Sequence, residues 1–454
     1  MKVMTKDEYT PTKNACKLCS PLGASFVFKG IANCIPLLHG SQGCSTYIRR
    51  YLISHFNEPI DIASSNFTEE AAIFGGGVNL KLAIQNITKQ YEPECIGIAS
   101  TCLSETIGDD VDLILKDYKK NNKGKSEPEI VSVSTPSYSG THIDGFHATV
   151  RSLVDSISPM EDRKGKHINI FPGMLSPADF RYLKEILEDF GADYVMLPDY
   201  SDTFDGPLWS RYRKIPVGGT SMKDIASIGS ACASMEFGRI LAEGESAGKL
   251  LKARDKIPCF SQGLPIGVKE TDLLFDTLEL ITGRSTPEKH IKERDRLIDS
   301  YVDGHKYLFE SRAVLYGEED LIVGLASFLS EIGVIPVVCA SGGKSGHIEE
   351  KLDEVIPDMR KMGMTILEGV DFMEIGKAVK DLSPDFMIGN SKGYKLARQI
   401  KKPLIRVGFP IHDRLGGGRI MHVGYRGAQQ LFDTISNTII ALRQDNSSIG
   451  YTYM

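Results

Sequence analysis

Three cysteines in the first quarter of the chain constrain its fold more than any other feature. Cys19 opens Cys-Ser-Pro-Leu-Gly-Ala, Cys44 closes His-Gly-Ser-Gln-Gly-Cys, and Cys102 lies in Ser-Thr-Cys-Leu-Ser-Glu. All three stand among small residues, which let a bulky inorganic group approach the backbone. Thiolates are the soft ligands that iron–sulfur clusters require. Taken singly, each is as well explained as a buried structural thiol, since free cysteine is commonly buried. As a set they ask for three loops that converge.

The flanking segments say where those loops fall. Ser45–His55 has helical spacing through Tyr47, Tyr51 and Leu52. A helix starting at Cys44 would set the positive end of its dipole against the thiolate. Arg49 and Arg50 add charge near a cluster or partner, or simply a solvated face. Phe74–Gly77 is a glycine turn, followed by an amphipathic helix over Val78–Tyr91. Cys95–Ser100 is a short buried parallel strand. Cys102 follows its carboxyl end, where open α/β sheets place ligands. Ser104 and Glu105 begin the next helix, with Asp109 and Asp110 complementing a helix dipole. Asn121–Pro128 is a lysine-rich turn, and Ile130–Ser134 is a strand leading into Thr135-Pro-Ser-Tyr.

The β–α rhythm repeats downstream. His167–Phe171 and Tyr194–Leu197 are strands around a helix over Phe180–Phe190, which opens at Ser176-Pro177. Ile225–Leu241 and Leu273–Thr282 are expected helices. Lys289–Leu308 is a long charged helix suited to linking domains. Strands at Ala313–Tyr316, Ile335–Cys339 and Leu404–Val407, and a strand and loop over Phe386–Gly393, alternate with a helix over Leu321–Ile332. Gly427–Ala441 closes the chain before an aromatic tail, Ser448–Met454. The expected class is α/β, with three doubly wound, Rossmann-like domains on parallel sheets. Their expected extents are 1–150, 165–300 and 308–410, followed by a closing helix and tail over 411–454.

Lys and Arg number 53 against 59 Asp and Glu, a net charge of −6, which disfavours a general nucleic-acid binder. Nine cysteines, a polar Met1–Ala15 lead-in and no run of ~18 apolar residues suggest a cytoplasmic chain without a disulfide framework or membrane span. Cys16-Lys-Leu-Cys19 lacks the second pair that a zinc site needs, so Cys16 reads as a spare thiol. Ser341–Gly346 is glycine-rich but does not match a phosphate loop. His39, His55 and His412 are assigned no metal, and Cys34, Cys95, Cys232, Cys259 and Cys339 are expected to fill cores.

The loops C19-S-P-L-G-A, H39-G-S-Q-G-C44 and T101-C-L-S-E105 occur in the order of the P-cluster half-site in nitrogenase component 1 beta-type subunits. The chain resembles that family, and Ser54–Pro59, Ser64–Glu69, Phe74–Gly77, Thr135–His142, Arg406–Arg414 and Val423–Ala428 extend the resemblance over nearly its whole length. The resemblance implies that Cys19, Cys44 and Cys102 ligate an iron–sulfur cluster shared with a partner subunit. It places Ser137 where a serine lies beside that cluster and can ligate it on oxidation. The cluster is either a P-cluster-like eight-iron group or a four-iron group. The implied partners are an alpha-like subunit, in a heterotetramer, and an ATP-dependent iron protein that delivers electrons. The substrate-reducing cofactor belongs to the alpha-like partner, and no catalytic residue falls on this chain.

Within the family, Gly43–Phe56, Leu197–Pro207 and the Ser447–Met454 tail look like the beta-like subunit of the scaffold that matures the iron–molybdenum cofactor. The full set of three cysteines looks instead like the catalytic beta chain that serves dinitrogen reduction. A nitrogenase-like reductase of another small molecule is a third branch. A cluster-free α/β protein binding a small ligand in a switch-point crevice is the alternative outside the family.

Overall fold

The structure, a computed structural model, describes residues 15–122, 127–160, 165–356 and 363–449. The lead-in before Ala15, half of the lysine-rich turn and most of the aromatic tail lie outside the described residues.

Thirteen strands form three sheets among the described residues, and every strand pairing is parallel. In the first sheet, β1 (Cys34–His39), β2 (Ala63–Ser64), β3 (Cys95–Ser100) and β4 (Glu129–Val133) lie in the order β2-β1-β3-β4. In the second, β5 (Ile168–Phe171), β6 (Tyr194–Met196), β7 (Ala233–Phe237) and β8 (Cys259–Gln262) lie in the order β6-β5-β7-β8. The third combines β9 (Arg312–Gly317), β10 (Ile335–Ser341), β11 (Thr365–Leu367), β12 (Phe386–Gly389) and β13 (Leu404–Arg406) in the order β11-β10-β9-β12-β13. This is the expected α/β class with doubly wound, Rossmann-like sheets. β1 and β3 are buried along their whole length, as strands covered by helices on both faces must be.

The Ser20–Lys29 helix covers the first sheet, and all ten of its residues are buried. It lies so close to β3 that a Cβ on Gly97 would come within 2.1 Å of the Phe28 ring. Its Phe26 meets Phe56, Tyr200, Phe204 and Phe409 at ring-centroid distances of 4.9–5.5 Å. Those four residues come from the helix after β1, the loop after β6 and the loop after β13, so one ring ties the three sheets together. Truncating such a side chain costs about 3–5 kcal/mol.

Two expectations differ from the structure. Ile225–Leu241 is not one helix: a short helix, Met222–Ser227, precedes β7, which lies inside the second sheet. β7 carries Glu236, a residue poorly suited to a buried strand until its partners are known. Ser246 and Ser261 hydroxyls and the Gly248 amide donate to its carboxylate. Cys16 is not a spare thiol. It is buried against Val314, Tyr316 and Val338 of the third sheet, and burial pushes its thiol up to about 12. Cys34, Cys95 and Cys339 fill cores as expected, while Cys232 and Cys259 are only half-buried. The long Glu288–Leu308 helix lies along the closing Gly424–Asn446 helix, where a Cβ on Gly304 would meet the Phe432 ring at 2.4 Å.

Candidate metal centre

β1 and β3 are neighbours in register, with His39 opposite Ser100 at their carboxyl ends. The strand order reverses between them, so the crevice of the first sheet opens there. Cys44 follows β1 in the first turn of the Gln42–Phe56 helix. Cys102 follows β3 as the first residue of the Cys102–Ile107 helix, which Thr101 and Ser104 close with a capping box. Cys19 is the N-cap of the Ser20–Lys29 helix, with Pro21 in its first turn. All three thiols therefore stand at helix N-termini.

Hydrogen bonds join the loops. The Ser137 amide donates to Cys102 Sγ at 3.2 Å, and the Ser20 amide donates to Ser137 Oγ at 3.2 Å. Ser137 thus links the Cys19 and Cys102 loops. The Ser41 hydroxyl lies 3.7 Å from Cys44 Sγ, pointing a donor at that sulfur. Donors aimed at sulfur suit a thiolate, which only accepts. Cys19 is exposed, and Cys44 and Cys102 are half-buried.

The small neighbours divide into two kinds. A Cβ on Gly23 would fall 1.7 Å from the His142 carbonyl, and one on Gly145 would fall 2.1 Å from the Ser20 carbonyl. Gly23 is small because the Ser20–Lys29 helix crosses the His142–Ile157 helix there. Gly40 is small because Thr101 Oγ1 would lie 2.1 Å from its Cβ. At these two positions helix and loop packing, not space for an inorganic group, sets the residue. Gly43 is different. Its only near neighbour is Ser41 Oγ at 3.7 Å, so the space beside Cys44 is open.

The surrounding polar groups are structural ties. His39 Nδ1 meets Ser65 Oγ and Nε2 meets Asp109 Oδ2, both at 3.1 Å. Burial holds its pKa below the ordinary range despite Asp109. Asp109 also accepts from the Gly76 amide at 2.8 Å, tying the glycine turn to these loops; a free helix-dipole role is taken only by Asp110, which caps the next helix. Glu105 accepts from the hydroxyls of Ser100 and Ser134, clamping the ends of β3 and β4. His55 Nδ1 accepts the Ile411 amide at 2.8 Å, and burial pulls its pKa to about 3. Arg49 is held by the Ile60 carbonyl at 2.6 Å and by Asp61 at 3.4 Å.

Among the described residues, no three His, Cys, Asp or Glu side chains could hold one metal ion together. Three thiols are fewer ligands than a multi-iron group takes, so such a cluster would draw the rest from outside the chain. The donor set, the sulfur-directed donors and the opening at Gly43 fit such a cluster. The open space at Gly43 agrees with the reading of small residues beside Cys44, whereas the Ser137 amide that donates to Cys102 Sγ carries no motif signal.

A separate cavity of about 900 Å³ lies where loops after β4, β7, β9 and β10 meet, with Cys16, His142, Glu318 and Lys344 among its lining residues. The amides of Ser345 and Gly346 in the glycine-rich loop are taken up by Glu319 and Glu368, at 3.2 and 2.9 Å. No described helix is long and apolar enough to cross a membrane.

Comparison with known proteins identifies the family. Residues 19–440 match the family model described as nitrogenase component 1 type oxidoreductase. The chain is 35% identical to the nitrogenase molybdenum-iron protein beta chain of Clostridium pasteurianum, covering 94% of this chain and 93% of that protein. It is 32% identical to the nitrogenase iron-molybdenum cofactor biosynthesis protein NifN of Bradyrhizobium diazoefficiens, covering 96% and 92%. A chain of nitrogenase Cp1 at pH 6.5 superposes with a TM-score of 0.95 at 33% identity, covering 100% of this chain and 98% of that one. The chain with three thiols at its first switch point belongs to the nitrogenase component 1 family, as a beta-type subunit.

Proposed function

We propose that Cys19, Cys44 and Cys102 hold one side of an iron–sulfur cluster at the boundary with an alpha-like subunit, and that the assembled heterotetramer matures an iron–molybdenum cofactor. The observation that carries the cluster assignment is the meeting of three helix-terminal thiols at the β1/β3 crevice beside the open face of Gly43. A cluster held there supplies one-electron transfer, with electrons drawn from an ATP-dependent iron protein. This chain's own work is to present the thiolates, direct the Ser137 amide and Ser41 hydroxyl to sulfur, and leave one face for the partner's ligands. Ser137 Oγ, already at the Cys19 loop, is a reserve oxygen ligand.

The maturation role rests on Leu197–Pro207, a segment of scaffold-like sequence. Its Tyr200 and Phe204 pack on Phe26 of the Cys19 helix. A second reading, the catalytic molybdenum-iron beta chain, is favoured by the complete three-cysteine set with Ser137. The purified complex, combined anaerobically with its iron protein and ATP, separates the two. Activation of cofactor-free nitrogenase with little ammonia supports the scaffold. Rapid ammonia formation without maturation assigns the catalytic branch. Failure of both in an iron-loaded complex points to a reductase of another small molecule, and an iron-free complex to a small-ligand binding protein.

A further inference from the structure

Loops of the third sheet pack on the segment that leads into Cys19: Gly342, after β10, lies against Cys16 and Lys17, and the loop after β12 brings Lys392 to Lys17. Asn390–Gly393 follows β12 and is fixed from several sides. The Tyr316 hydroxyl donates to the Asn390 carbonyl at 2.5 Å, and a Cβ on Gly393 would collide with that hydroxyl at 2.2 Å. Ser391 donates through both its amide and its hydroxyl to the Pro410 carbonyl, each at 3.0 Å. The His412 amide donates back to Ser391 Oγ at 3.1 Å. The His412 ring then meets Tyr51, on the helix that carries Cys44, at 5.1 Å. Lys392 projects from this braced loop. Its Nζ donates to the Lys17 carbonyl at 3.4 Å, two residues before Cys19.

We propose that Lys392 is a positioning and charge-setting residue for the cluster held at Cys19: its ammonium, tethered to the Cys19 loop, favours the more negative, reduced state and raises the midpoint potential. The inference rests on the cluster assignment above. Two facts give it weight. Lys392 is half-buried, so its charge is screened less than a surface charge. Burial lowers its pKa, while the nearby Cys16 and Cys19 sulfurs act in the opposite direction, favouring the ammonium. Cys16 and Cys19 flank the tether at Lys17, and of these two sulfurs Cys16 is buried in the third sheet's core while Cys19 is exposed. Arg50 lies on the same side, close enough to act with Lys392 against protonation of His412.

The one-electron step adds an electron to the cluster without breaking a bond. Losing one nearby unit charge should shift that equilibrium by about tenfold, or ~59 mV. The test uses the anaerobic complex of this chain with its partner, as wild type, K392M, K392Q and K392R. Iron content is measured first, then the midpoint potential by EPR-monitored redox titration. The expected result is full iron in all four, a potential lowered by ~59 mV in K392M and K392Q, and a wild-type value in K392R. Loss of iron in the two neutral variants, with full iron in K392R, would equally support a charge role at Cys19. Unchanged potentials in iron-loaded K392M and K392Q overturn the inference. So does iron loss in all three variants, which would make the side chain's packing the important property. An iron-free wild-type complex would instead remove the cluster assignment itself.

Discussion

The backbone amide of Ser137 donates to the sulfur of Cys102 at 3.2 Å, while its side-chain oxygen receives the Ser20 amide. One residue thus serves two cysteine loops through two different atoms. Ser137→Ala should keep the amide on Cys102 but leave the Ser20 amide short of a partner, costing about 1–3 kcal/mol of stability. Ser137→Pro removes the amide donor itself and should also disturb the cluster's EPR signal. Denaturation midpoints and EPR spectra of the two variants, side by side, check this division. Identical spectra for Ser137→Pro and wild type would contradict it.

The two kinds of glycine give a contrast within one segment. Gly23→Ala forces a Cβ to 1.7 Å from the His142 carbonyl, so the helices must separate and the chain should express poorly or unfold early. Gly43→Ala meets nothing closer than 3.7 Å and should leave the fold intact. If the open face at Gly43 receives the cluster, the same variant should lose iron. Thermal midpoint and iron content together test both statements, and a fully iron-loaded Gly43→Ala complex would show that the space is not needed.

Burial pushes the Glu319 carboxyl up to about 7, with the Ser345 amide opposing and Glu368 adding to the rise. Its folded pKa lies above the ordinary 4.5, so the folded state holds an extra proton between those values. The associated stability is complete below about pH 4.5 and is lost as pH rises through about 7. Glu319→Gln keeps the neutral form and should flatten this slope, gaining on the order of 1 kcal/mol at pH 8 after allowance for solvent screening. Denaturant midpoints at pH 5 and pH 8 measure it. An unchanged slope would contradict the assignment.

Ile73, Phe74 and Val78 are 74%, 82% and 79% exposed, and the Gly76 amide ties their turn to Asp109 beside the cysteine loops. An apolar group this open, next to a proposed interfacial cluster, suits a protein partner. Phe74→Asp should leave the thermal midpoint of the chain unchanged while weakening complex formation or electron delivery at least tenfold. Analytical ultracentrifugation with the alpha-like subunit, and electron-transfer rates with the iron protein, report which partner is affected. Wild-type values in both assays would assign the patch to neither.

Local patterns carried much of this fold. Cys95–Ser100 is a strand over the expected residues, because an unbroken small and apolar run suits a strand buried on both faces. The Glu288–Leu308 helix follows from its charge and spacing. β7 was hidden, since Glu236 belongs in a core only through Ser246, Ser261 and Gly248, which lie 10 to 25 residues away. The cysteine loops were visible as motifs, yet the reason for Gly23 was not. It depends on the His142 carbonyl, far along the chain, and no local pattern reports such a crossing. Lys392 was silent for the same reason, as its link to Lys17 spans 375 residues.

The central claim is that these thiols hold iron. The most direct measurement is iron per complex, by anaerobic elemental analysis with EPR, for wild type and Cys44→Ala co-purified with the alpha-like partner. Cys44 is half-buried in the first turn of its helix beside the open Gly43, so Ala there removes the proposed ligand at the edge of the core rather than inside it. The account predicts cluster iron in the wild type and loss of most of it, with the cluster's EPR signal, in an otherwise folded Cys44→Ala complex. Equal iron and identical spectra in the two proteins would contradict it.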